Sequence, residues 1–169
     1  MPKAWVELPF DQYESFWDPV DRDFKFKAST TEFPGFAEPD ESTTFHIGHI
    51  YGEPSRHSKL LLDLSERFVR AFQECTKRDG YLNVLNWQHP SYRYWPHIPF
   101  NFESEEEWPI PILPNGDYYL FLDPSHAFGV LGHPWEMTMC VFGPRLLEAI
   151  ESDPPKIFDR PIRVGGKVL

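Results

Sequence analysis

The chain has 169 residues, 41% hydrophobic and 25% charged, a balance that excludes disordered and fibrous classes and suits one globular domain over 1–169. Sixteen Lys and Arg against 26 Asp and Glu leave a net charge of −10, which opposes attraction to phosphate backbones and anionic lipid and argues against nucleic-acid and membrane partners. Apolar stretches such as 60–62 and 109–114 fall far short of the roughly 20 residues of a membrane span, Cys75 and Cys140 lack paired spacing, and the first residues carry no apolar signal region, so a reduced, cytoplasmic protein is expected.

Along 9–24, Tyr13, Phe16, Trp17, Val20 and Phe24 recur at helical spacing, with Asp11, Glu14, Asp18 and Asp21 opposite, so an amphipathic helix is predicted. Pro19 inside the pattern predicts one bent helix or two short ones. Phe24-Lys25-Phe26-Lys27 alternates like a half-buried strand, and 29–42, rich in Pro, Gly, Thr and acids, reads as a loop. The stretch 43–51 reads as a strand. Leu60, Leu61, Leu64, Phe68 and Phe72 predict a helix over 58–77, supported by Asp63/Arg67 and Glu66/Arg70 pairs and stopped by Gly80. A strand over 81–87 follows.

The aromatic segment 89–114 carries six prolines, each removing a ladder donor, and is predicted to be irregular. After the Asn115-Gly116 turn signal come strands at 117–123, 127–131 and 136–142, which suggest an antiparallel meander. Gly143-Pro144 opens a short helix over 144–152, and the tail 153–169 reads as mostly irregular. Two main helices packed on a mostly antiparallel sheet make an α+β single domain, with irregular segments at 29–42, 89–114 and 153–169.

No phosphate-loop, dinucleotide or nucleophile-elbow motif occurs, so no catalytic residue is assigned and an enzyme is the less favoured reading. His46 and His49, three apart on a strand, point to opposite faces, and no paired cluster completes a metal site, so no metal or cofactor is expected. One alternative is a small enzyme or ligand-binding pocket that gathers His126, His133, Trp135, Glu136 and Cys140. Against it, nothing near Cys140 supplies the cationic surroundings that lower a thiol pKa, and a buried inert thiol accounts for it. Glu103, Glu105, Glu106 and Glu107 form an acidic run amid Tyr94, Trp95 and Trp108. Aromatic anchors beside steering charges suit an interface with a basic protein, while core packing explains the same aromatics equally well.

The pattern W-P-x-P…N-G-D-Y-Y…G-H-P-W-E-x-x-x-C-x-F-G, running from Trp108 to Gly143, resembles the signature of a family of small bacterial proteins of unknown function. Trp5, Trp17 and Phe24-Lys25-Phe26 extend the likeness over most of the chain. The resemblance agrees with an α+β fold and carries over no catalytic residue. By analogy with small acidic bacterial proteins it implies an immunity protein that occludes the active site of a basic toxin.

Overall fold

In the computed structural model, which describes residues 2–52 and 54–169, the chain runs through β1 (Trp5–Glu7), α1 (Tyr13–Phe24), β2 (Ser42–His46) and α2 (Pro54–Cys75). It continues through β3 (Leu82–Asn86), β4 (Tyr92–Tyr94), β5 (Tyr119–Leu122), β6 (Gly129–His133), β7 (Thr138–Phe142), α3 (Pro144–Ser152), β8 (Pro161–Val164) and β9 (Lys167–Val168). Among the described residues, nine strands form one antiparallel sheet in the order β1-β4-β3-β5-β6-β7-β2-β8-β9. The α+β architecture and the β5-β6-β7 meander follow the sequence expectation, with α3 as a third, shorter helix.

Strand periodicity explains why the central strands are buried on both sides. Tyr119 and Phe121 of β5, with Met139 and Val141 of β7, join a large core that also holds Leu64, Phe68 and Phe72 of α2 and Leu146 and Ile150 of α3. The alternate residues Leu120, Leu122, Cys140 and Phe142 join a second core with Trp17, Val20 and Phe24 of α1. A sheet sandwiched this way reads as nearly continuous apolar runs. Each fully buried Leu or Phe contributes about 1.5–3 kcal/mol, so the two cores together outweigh any surface term.

Several elements depart from expectation for local reasons. The first helix is continuous through Pro19, preceded by a 3₁₀ turn over Phe10–Gln12. Phe24-Lys25-Phe26-Lys27 is not a strand, because Phe24 closes the helical stripe and Lys25 caps α1 in the left-handed region at φ 52°, its N–H donating to the Asp21 carbonyl at 3.0 Å. The strand expected over 43–51 stops at His46, and Gly48–Gly52 makes a 3₁₀ turn instead. Within 89–114, Tyr92–Tyr94 pairs with both β1 and β3, so this segment is not wholly irregular; its prolines flank the three strand residues. The tail is likewise ordered in part: Gly165-Gly166, both at positive φ, turn β8 into β9, and β8 pairs with β2. Pro161 is the first residue of β8 and pairs with Phe45 beyond a register shift in the β2–β8 ladder, where a missing donor is tolerated.

Candidate functional site

The acidic segment sits on a folded base. Trp108 is 7% exposed and donates its indole N–H to the Phe102 carbonyl at 2.9 Å, and Tyr94 is fully buried, stacked on Trp5 with ring centroids 4.4 Å apart. Trp95 is half-buried against Tyr81. Above them Glu105–Glu107 form an exposed 3₁₀ turn, with Glu103 exposed just before it. Of the seven residues grouped in the sequence, the four glutamates face solvent together, whereas Tyr94 is enclosed in the core and Trp108, also a core residue, lines a neighbouring cleft. Apolar area this large is buried wherever α2 offers a face to cover it.

A cleft of about 720 Å³ opens beside this turn, between the first turns of α2 and the segment running into β5. Leu61, Leu62 and Ser65 form the helical wall, and Pro111 and Leu113 lie opposite. Glu103, Glu105 and His57 border it, and among the described residues no lysine or arginine lines it. Tyr51 donates its hydroxyl to the Pro114 carbonyl at 2.8 Å and Tyr119 bonds to the Asn115 side chain, so one end of the cleft is pinned to the proline-rich chain. Burial pushes both phenols above their ordinary pKa. Ser65, 6% exposed, makes no side-chain hydrogen bond among the described residues. Sequence reasoning did not find this wall, although Leu62, the apolar residue off the α2 stripe and 39% exposed, was the available signal.

Of the five residues of the alternative pocket, the structure brings His133 and Glu136 together. His126, at φ 64° before β6, holds Asp23 through Nδ1 at 2.8 Å and packs on Phe24. His133, the last residue of β6, is 2% exposed between the rings of Phe33 and Tyr118. Its Nδ1 accepts the Glu136 backbone N–H at 3.0 Å, which leaves the proton on Nε2, a buried atom with no partner among the described residues. Burial pushes its pKa below the usual histidine value. Trp135 is half exposed, and Cys140 lies in the second core, where burial drives its thiol pKa far up. Among the described residues, no group of three or more His, Cys, Asp or Glu is placed to hold a metal ion.

Glu136 instead joins a buried ion cluster that the sequence did not reveal. Arg163 of β8 forks onto Glu38 at 2.8 and 3.1 Å and onto Glu136 at 2.7 and 2.7 Å. Thr44 donates to Glu38 at 2.6 Å and Thr138 to Glu136 at 2.8 Å. Burial opposes ionisation of Glu136, but the Arg163 and Thr138 hydrogen bonds outweigh it and hold its carboxyl below the usual range. The cluster ties the loop after α1, the β6–β7 hairpin and β8 into one unit. With every oxygen engaged, it works as a clamp.

A family model described as a protein of unknown function (DUF2716) matches residues 7–147, from β1 into α3. The chain is also 34% identical over 157 residues to the uncharacterized protein YxiI of Bacillus subtilis (strain 168), an alignment spanning 91% of this chain and 96% of that protein. No solved structure matches.

Proposed function

The chain belongs to the DUF2716 family of proteins of unknown function, and from that starting point we propose that it is an acidic protein-binding module, an immunity protein that works in the cytoplasm and neutralises a basic bacterial toxin by covering its active site. The observation that carries this reading is the exposed turn Glu105–Glu107, fixed from beneath by Trp108 and set beside the cleft. A rigid acidic ridge on a molecule of net charge −10 steers a cationic partner, raising association rates about 10- to 1,000-fold at low salt. Among the described residues no helix is long and apolar enough to cross a membrane.

The test has two stages. A partner captured at low ionic strength should be basic, and co-expression of this chain should suppress its toxicity. Replacing Glu105, Glu106 and Glu107 together by Gln should then slow association at low salt and flatten its salt dependence. A neutral or acidic partner, or association indifferent to both salt and the triple replacement, would overturn the reading.

A further inference from the structure

Resting on the protein-binding reading above, we infer that the cleft beside α2 is a socket for an arginine side chain carried on an apolar-flanked segment of the partner. Three independent features of the cleft converge on that chemistry. Its walls are apolar where a side-chain stem would lie, with Leu61 and Leu62 facing Pro111 and Leu113. Its border is negative: among the described residues the Glu103 and Glu105 carboxylates have no ion-pair or hydrogen-bond partner and no lysine or arginine lines the cleft, whose one imidazole is His57. Ser65, 94% buried, is left with a hydroxyl whose hydrogen bond the chain does not supply. A polar group on so buried a residue is normally satisfied, and here its acceptor lone pairs open on the cleft, to water or to an occupant.

Arginine fits better than lysine. Its planar fork offers five donors, enough to engage the carboxylates and the serine hydroxyl together, and its weaker hydration lowers the cost of leaving water. At about 720 Å³ the space takes more than one side chain, so neighbouring apolar residues of the partner enter with it and cover Tyr51 and Leu62, which are 46% and 39% exposed. The exposed ridge attracts a basic partner at long range, and the socket selects the register in which it docks.

The probe is acetyl-Leu-Arg-Leu-amide, compared with the same peptide carrying citrulline, which keeps the shape and removes the charge. Each is titrated at low salt into the intact protein while backbone amide shifts are followed. The arginine peptide should bind about tenfold more tightly than the citrulline peptide, with shifts concentrated in 57–65 and 102–119. Glu103→Gln with Glu105→Gln should erase the difference, and Ser65→Ala should weaken the arginine peptide about threefold. Both variants are checked for a native circular dichroism spectrum. Equal binding of the two peptides, no binding, or shifts located elsewhere would overturn the socket. If either peptide result is negative while partner association still depends on salt and on Glu105–Glu107, the socket fails and the acidic-ridge reading stands. If the peptides discriminate but partner association ignores salt, the ridge reading fails and the socket stands.

Discussion

Replacing Arg163 by alanine removes the cation from the Glu38 and Glu136 carboxylates, whose side chains are 1% and 12% exposed. Breaking a buried pair by deleting one member costs about 3–5 kcal/mol, because the remaining charge stays desolvated. In a domain of this length each kcal/mol moves the melting temperature by about 2–4 °C, so a fall of about 6–20 °C is expected. The loss should depend on pH. In the native protein Glu136 has a folded-state pKa below its unfolded value of about 4.5, so its contribution is present above that pH and lost as pH falls through the folded value. In Arg163→Ala the same carboxylates can escape their unpaired charge by protonating, and the gap between variant and parent should shrink between pH 7 and pH 4. Urea unfolding followed by tryptophan fluorescence at several pH values reads both effects. The combined variant Glu38→Gln, Glu136→Gln, Arg163→Met, with no charge left to bury, should recover much of the loss. A cost for Arg163→Ala below about 1 kcal/mol, or one that is the same at pH 7 and pH 4, would show that the cluster is not the clamp described.

Other outcomes follow from single sites. His133 has a folded-state pKa below about 6.5, so it favours the folded state fully above that pH and less as pH drops through the folded value; His133→Asn should remove up to about 1.4 kcal/mol per pH unit of acid sensitivity just below pH 6.5. Cys75, pushed up to about 11 by burial, and Cys140, pushed further, should both resist a thiol reagent at pH 8 in the native protein and react on unfolding in urea. Gly143 sits at φ 94° with a would-be Cβ 2.4 Å from Phe128 Cβ, so Gly143→Ala should destabilise by at least about 1–3 kcal/mol, measured by thermal melting. The exposed replacements Glu105→Gln, Glu106→Gln and Glu107→Gln should leave stability within about 0.5 kcal/mol, separating any binding effect from a folding effect.

What the sequence disclosed was whatever depends on near neighbours. The stripe Trp17, Val20 and Phe24 found α1, the Asp63/Arg67 and Glu66/Arg70 pairs on α2 formed at 3.1 and 2.6 Å, and Pro144 marked the start of α3. Alternation in β7 separated Met139 and Val141 from Cys140 and Phe142, which enter different cores. Short strands escaped notice because two or three residues carry almost no periodicity: β1, β4 and β9 exist through partners the local pattern does not name. The Gly165-Gly166 pair was a legible hairpin signal, masked by the prolines before it. At the candidate site, the glutamate run was legible as charge, but Tyr94 and Trp108 read alike as surface anchors or core. The clamp was invisible because Arg163 meets Glu38 across 125 positions, a separation that only the folded sheet closes.

That separation has a consequence during synthesis. A ribosome adding about 5–20 residues per second finishes Glu38 roughly 6–25 s before Arg163 exists to meet it. Until β7 is made both edges of β2 are open, and until β8 follows one of them stays open to any other nascent chain or holdase chaperone nearby. Formation of the complete sheet is therefore tied to the emergence of β8, and a stall before it would leave a molecule whose ladder from β1 through β2 can form while the outer edge of β2 stays open.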